Sequence, residues 1–331
     1  MRCLVTSARP YDEQYLRSAN HGCHELVFVE TTLNCDTAFI AQGYPAICPF
    51  VDDTLDAKTL ETIARLGTKL LVLRSTGFNH VDIPAAKKHG ITVMRVRDYS
   101  PYAVAEYAVG LMLTLNRHLH KAYNRVRDGN FLLDGLLGFD MQGKTVGIVG
   151  TGKIGLALAR ILHGMGCHLL GYDPVVNPAC QELGLVYVPL EELLAKSQIV
   201  SLHVPLLPET RHMINGESIA LMPEGAMLIN TSRGPLIDTS ALIAALKSRH
   251  LGAVGLDVYE EEAELYFKDH CDDIICDDSF ERLLTFPNVI VTGHQAFFTR
   301  EALTVIARTT IQNLDDYSDG KDNQNCVRSK G

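Results

Sequence analysis

No part of the chain gathers lysine and arginine into a cluster or stripe: 30 basic residues are outnumbered by 39 acidic ones, for a net charge of −9. Proteins that neutralise phosphate backbones need such clusters, so the composition argues against nucleic acid as a partner. Long hydrophobic runs are missing too. The longest, Tyr102 to Leu115, is broken by Glu106 and falls short of the roughly 20 apolar residues of a membrane-spanning helix. The N-terminus shows no charged segment followed by a signal-like apolar core, which predicts a soluble, cytoplasmic protein with no membrane partner. No Cys-x-x-Cys pair occurs among the nine cysteines, and their odd number speaks for reduced thiols over a disulfide frame. Cys271 and Cys276 lie near each other but lack ligating neighbours, so no metal is expected. Internal repeats are absent, and the one biased tract is a polar tail beyond Asn313, rich in Asp, Asn, Lys and Ser.

What the chain does have is an alternation of short apolar strands with amphipathic or mixed segments, the pattern of parallel sheets built from strand-helix-strand units. A chain of 331 residues is too long for one ordinary core, and the strands fall into two series. The first comprises Cys3-Leu-Val-Thr, Glu25-Leu-Val-Phe-Val, Ala46-Ile-Cys-Pro-Phe-Val, Lys69-Leu-Leu-Val-Leu and Ile91-Thr-Val-Met-Arg-Val. The second comprises Thr145-Val-Gly-Ile-Val, His168-Leu-Leu-Gly-Tyr, Ile199-Val-Ser-Leu-His-Val, Ala226-Met-Leu-Ile-Asn, Ala253-Val-Gly-Leu-Asp-Val and Val289-Ile-Val-Thr. Between them Ser100 is a fitting N-cap and Pro101 a fitting first-turn residue for a helix that is apolar nearly all round. Such a helix should be buried between domains or in a subunit interface. A further helix is expected from about residue 298 to Asn313.

The segment Val146-Gly-Ile-Val-Gly-Thr-Gly-Lys-Ile-Gly-Leu joins a strand to an apolar helix. Gly150, Gly152 and Gly155, with Thr151, Lys153 and Ile154 between them, make Gly-x-Gly-x-x-Gly: a tight turn, close approach to a pyrophosphate, and close packing of helix on strand. The helix N-terminus offers free N–H groups to the anion. Asp173 ends the next strand, where a carboxylate accepts from the adenosine ribose and repels a 2′-phosphate, so the cofactor should be NAD. Because the fingerprint sits mid-chain, the NAD-binding Rossmann domain (101–297) is expected to be inserted into a discontinuous, flavodoxin-like substrate domain (1–100 and 298–331). The fold class is thus α/β, with two doubly wound parallel-sheet domains and a substrate cleft between them.

Ligands of open α/β sheets bind beyond the carboxyl ends of the strands, so the catalytic candidates are strand-end residues. His294 follows Val289-Ile-Val-Thr, with Phe297 and Phe298 just beyond to exclude water. Arg233 follows Ala226-Met-Leu-Ile-Asn-Thr231-Ser232, and its planar fork suits the carboxylate of a 2-oxo acid. The ordinary fate of such an arginine is a surface salt bridge. Asp257 ends another strand, ahead of Glu260, Glu261 and Glu262. A glutamate beside His294 would stabilise imidazolium and keep a proton donor available near neutrality. Spacing alone does not say which of the three it is, and an acidic run is more often simply solvated.

Together these residues resemble the D-isomer-specific 2-hydroxyacid dehydrogenase family. The carriers are Gly150-Thr-Gly-Lys-Ile-Gly, Asn230-Thr-Ser-Arg-Gly, Leu256-Asp-Val-Tyr-Glu and Thr292-Gly-His-Gln-Ala-Phe, with Arg74-Ser-Thr-Gly-Phe-Asn-His-Val-Asp and Ala103-Val-Ala-Glu-Tyr-Ala in support. The likeness spans essentially the whole chain, and the segment Phe267 to Phe280 is similar to the family's fermentative D-lactate branch. The resemblance implies Arg233 as substrate-binding arginine, His294 as acid/base and Glu262 as its partner. It further implies Thr76, Gly77, Tyr99 and Phe297 around the substrate and Asp173 at the ribose. Val204-Pro205 would form the adenine wall, Thr231 and Ser232 would face the cofactor, and Asp257 would lie near the nicotinamide carboxamide. His203, at a strand end by the cofactor wall, is the rival to His294. The implied reaction is NADH-dependent reduction of pyruvate to D-lactate by a homodimer or homotetramer. A larger 2-oxo acid, glyoxylate or hydroxypyruvate is the alternative, and an NADH-sensing corepressor-like protein a third reading.

Overall fold

The computed structural model describes residues 1–262, 265–321 and 323–327. The chain divides into two compact units, Met1–Ser100 with Phe298–Gly331, and Pro101–Phe297. In the first, β1 (Arg2–Val5), β2 (Glu25–Phe28), β3 (Ala46–Cys48), β4 (Leu70–Val72) and β5 (Thr92–Met94) form a parallel sheet in the order β2-β1-β3-β4-β5, the flavodoxin-like arrangement. Side chains alternate across it. Cys3, Val5, Cys48, Leu70 and Val72 face Leu16 of helix Pro10–Asn20 and Ala307, Ile311 and Leu314 of helix Arg300–Ser318. Leu4, Ile47, Leu71 and Val93 face Leu60 and Ile63 of helix Ala57–Arg65 and Ala85 and Ala86 of helix Ile83–Lys88. A strand buried on both faces reads as one apolar run, which is why these strands are visible in the sequence. The C-terminal helix runs to Ser318, beyond the expected Asn313, because Leu314 still belongs to the core. The tail after it is more than solvated chain. Cys326 bridges antiparallel to Met94, and Asn323 is buried with its amide donating to Asn313 and Asp316.

The second unit holds β6 (Thr145–Val149), β7 (His168–Tyr172), β8 (Val186–Tyr187), β9 (Ile199–Leu202), β10 (Ala226–Asn230), β11 (Leu251–Leu256) and β12 (Val289–Val291). All are parallel, in the order β12-β11-β10-β9-β6-β7-β8, with the switch in connection direction where β6 lies between β7 and β9. This is the Rossmann order with one strand added. The edge strand β8, two residues long, carries too little pattern to be foreseen. Helix Pro101–Asn116 is held by its own unit. Ala105, Ala108, Leu111, Met112 and Leu115 pack onto Val146, Ile148, Ile229 and helix Lys153–Gly164, so its apolar face is taken up by the unit's own core. Among the described residues no helix is long and apolar enough to cross a membrane.

Candidate active site

The fingerprint turn leaves β6 at the switch point. Gly150 has φ +96°, and a Cβ there would lie 2.6 Å from the His203 carbonyl; at Gly155 it would lie 2.0 Å from the Gly150 carbonyl. A Cβ on Gly152, by contrast, meets nothing within 4 Å, so this is the face left open for a ligand. Gly152 caps helix Lys153–Gly164, into which Ile154 and Gly155 are built. Asp173 is half-buried beyond β7 and accepts from Thr151 N at 2.8 Å and Val175 N at 2.9 Å, which ties the acidic strand end to the turn. Each of its oxygens keeps a second lone pair for a ribose hydroxyl. Ser232 Oγ donates to the Val204 carbonyl at 2.6 Å, joining the turns after β9 and β10, with Pro205 exposed beside them. The hydroxyl of Thr231 is buried without a hydrogen-bond partner among the described residues. An orphaned hydroxyl after β10, an open glycine face after β6 and a carboxylate with spare lone pairs after β7 together fit NAD.

At the same edge of the sheet His294 follows β12 in a left-handed conformation, φ 53°. That strain is held by Asp257, which is fully buried at the end of β11. Asp257 Oδ1 accepts from Thr292 Oγ1 at 2.6 Å and Gln295 N at 3.0 Å, Oδ2 accepts from Ala296 N at 2.8 Å, and His294 N donates to the Asp257 carbonyl at 2.8 Å. Burial pushes the Asp257 carboxyl up, against the pull of those hydrogen bonds. Asp257 thereby clamps the turn that aims the imidazole. Gln295 extends the clamp, donating to Tyr107 Oη at 2.7 Å; the stretch Ala103 to Ala108 contained this support, but only the folded turn reveals it.

Glu262 Oε1 lies 3.0 Å from His294 Nδ1, while its Oε2 accepts from Tyr259 N at 3.0 Å. The Phe267 ring lies over the imidazole with centroids 5.7 Å apart. With Nδ1 engaged, Nε2 at the tip of the ring has no hydrogen-bond partner among the described residues, and the side chain is 21% exposed. His203 is a different kind of histidine. Burial pushes it down to about 4, so it is neutral at physiological pH and cannot serve as a proton donor.

Arg233 stands where the turn after β10 is most constrained. Asn230, fully buried, accepts from Ser232 N and donates to the Arg233 carbonyl. A Cβ on Gly234 would fall 1.9 Å from the Tyr259 carbonyl, so glycine is required for this turn to pack against the segment leading to Glu262. The Arg233 guanidinium donates to the Ser232 carbonyl at 2.6 Å and forms no ion pair with a carboxylate among the described residues. Its ordinary fate, a surface salt bridge, is not what the fold provides. Thr76 and Gly77 lie in the other unit, in the turn after β4, and Tyr99 near the end of that segment. Phe297 closes the second unit, whereas Phe298 stands edge-on to Tyr11 in the first at 4.8 Å between centroids.

A profile of the D-isomer specific 2-hydroxyacid dehydrogenase, NAD binding domain, matches residues 109–296. The chain belongs to the D-isomer-specific 2-hydroxyacid dehydrogenase family. Within that family, the D-lactate dehydrogenase of Escherichia coli (strain K12) is 49% identical over 322 residues, covering 97% of this chain and 98% of that protein. A solved structure of the pyruvate reductase of Chlamydomonas reinhardtii is similar with a TM-score of 0.92 at 49% identity, covering 97% of each chain. The D-lactate dehydrogenase of Aquifex aeolicus, solved with NAD and lactic acid, gives 0.87 at 35% identity over 96% of each. The unit Pro101–Phe297 thus contains the family's NAD-binding domain.

Proposed function

We propose that this protein is a D-lactate dehydrogenase that reduces pyruvate with NADH, reversibly. The observation that carries the reading is one sheet edge bearing Arg233, whose guanidinium forms no ion pair among the described residues, and His294, whose far nitrogen has no partner among them and whose near nitrogen is held by Glu262. When bound, NADH supplies the hydride to the carbonyl carbon. Arg233 grips the substrate carboxylate with its fork and offsets charge growing on the carbonyl oxygen. His294, protonated at Nε2 and steadied by the Glu262 carboxylate, gives that oxygen its proton; in the reverse direction neutral His294 takes the hydroxyl proton. The family resemblance adds the backbone N–H groups at Thr76 and Gly77 as donors to the carboxylate, and Tyr99 and Phe297 as limits on the size of the 2-oxo substituent. The cofactor contacts are those of Gly150 to Gly155, Asp173, Val204, Pro205, Thr231, Ser232 and Asp257.

The test is NADH oxidation against pyruvate and a series of larger 2-oxo acids, with chiral analysis of the product. Rapid turnover of pyruvate to D-lactate is the expected result. L-lactate, or turnover of a larger acid only, overturns the lactate assignment; tight NADH binding without turnover of any acid overturns the enzymatic one. The reading includes a homodimer or homotetramer in the cytoplasm. Supporting the first is an apolar arm after helix Leu119–Arg127, where Leu133 and Leu137 are 81% and 90% exposed. Nine free thiols fit the second.

A further inference from the structure

The turn after β4 is braced both from within the family motif and, through Arg95, from outside it. Within the motif buried Arg74 donates to the Thr6, Ser7 and Cys48 carbonyls and to Asp12, so that the carboxyl ends of β1, β3 and β4 are locked together. Above it Ser75 Oγ donates to the Gly77 carbonyl at 2.8 Å, and Val96 N donates to the Ser75 carbonyl. Arg95, just past β5, donates from Nη1 to the Thr76 carbonyl at 2.7 Å and lays its guanidinium over the Phe78 ring at 5.0 Å. Its own backbone is fixed on both sides: Arg95 N donates to the Asn325 carbonyl, and Asn313 Nδ2 donates to the Arg95 carbonyl. No carboxylate forms an ion pair with Arg95 among the described residues; burial first, and Arg97 second, press its pKa below the usual arginine value.

These contacts determine the direction of one peptide. None of the described peptide bonds is cis, so the Thr76 carbonyl and the Gly77 N–H belong to one trans unit and point opposite ways. A cation bound to the carbonyl also polarises that unit and strengthens the N–H as a donor. We propose that Arg95 is a positioning residue for the 2-oxo acid: by capturing the Thr76 carbonyl it turns the Gly77 N–H outward as a fixed donor for the substrate carboxylate. The inference rests on the reading above that this turn receives that carboxylate.

Steady-state kinetics with pyruvate, alongside NADH affinity measured by fluorescence, test it. Arg95→Met should raise KM for pyruvate about tenfold, the loss of one charge-assisted hydrogen bond, with kcat changed less than threefold and NADH affinity unchanged. Arg95→Lys, which keeps a cationic donor for the carbonyl, should bring KM most of the way back. Gly77→Pro, which deletes the N–H itself, separates the proposal from its premise. A raised KM in Gly77→Pro with native KM in Arg95→Met overturns the role of Arg95 alone; native KM in both overturns the carboxylate-binding turn as well. A fall in kcat equal to the rise in KM, or a loss of NADH affinity, marks Arg95 as merely structural and overturns the proposal. Should Arg95→Met fail to fold, Arg95→Gln, too short to span the same gap, is judged by the same criteria.

Discussion

Two imidazole–carboxylate pairs stand on the segment after β11, made from glutamates two positions apart, and they differ in everything but their functional groups. Glu262 meets His294 through Nδ1 and takes one further hydrogen bond, from Tyr259 N, so the imidazole presents its tip nitrogen outward. Glu260 meets His212 through Nε2 at 2.5 Å and also accepts from Thr239 N and Thr239 Oγ1, with Arg211 at 3.6 Å. The first carboxylate has capacity left to respond to a proton on its histidine. The second is saturated and ties together three chain segments around residues 212, 239 and 260. A histidine beside a glutamate is therefore a proton donor only where the geometry leaves its other nitrogen for substrate; otherwise it is a strut.

Histidine replacement separates the pairs most widely. His294→Gln should lower kcat for pyruvate reduction by about 10²–10⁴, the usual contribution of a positioned general acid, whereas His212→Gln should stay within about tenfold of wild type. Comparable losses in the two variants would erase the distinction. Next in size is Arg233→Lys, which removes the fork but keeps the charge. It should cost about 10–10² in kcat/KM, and near-native turnover would remove Arg233 from the site.

The glutamates sharpen the comparison. Glu262→Gln replaces the carboxylate that holds His294 Nδ1, so kcat for pyruvate reduction should fall about tenfold, while Glu260→Gln should leave it nearly unchanged. An unchanged kcat in Glu262→Gln would show that the pair does not govern the proton. The smallest effect concerns stability. Burial by itself would raise the Glu260 carboxyl, but the hydrogen bonds from His212 and Thr239 outweigh it and hold the group below its ordinary value of 4.5. A depressed carboxylate stabilises the fold above the unfolded-state value and loses that contribution as pH falls through the folded-state one. Glu260→Gln should therefore melt a few degrees below wild type at pH 7, with the gap closing below about pH 4.5. A gap constant across that range would mean that the carboxylate's charge is not what matters.

The inner parallel strands were legible because burial on both faces turns each into an apolar run, and the cradle because Gly150 and Gly155 are each demanded by a backbone atom a Cβ would strike. Other features were not. The true ends of the strands lie short of their apolar runs: Ala46–Val51 is strand only to Cys48, since Phe50 and Val51 continue the hydrophobic pattern into the turn that Asp53 holds. The hydrogen bonds that make Asp257 a clamp come from Thr292, Gln295 and Ala296, more than thirty residues away, so no local pattern announces them.

By itself the sequence determined that this is a two-sheet α/β protein with an NAD cradle at mid-chain, and that Arg233, His294 and an acidic run stand at strand ends. Local pattern suffices for that, because strand period, glycine spacing and strand-end placement are properties of short segments. The family resemblance singled out Glu262 for His294; only the tertiary structure decided that Glu260 braces His212 and that His203 stays neutral. It alone also placed Asp257 as a clamp and Arg95 behind the Thr76 carbonyl. Partner choice and desolvation depend on how distant loops are brought together, and that information is carried by the packed sheet rather than by any one stretch of chain.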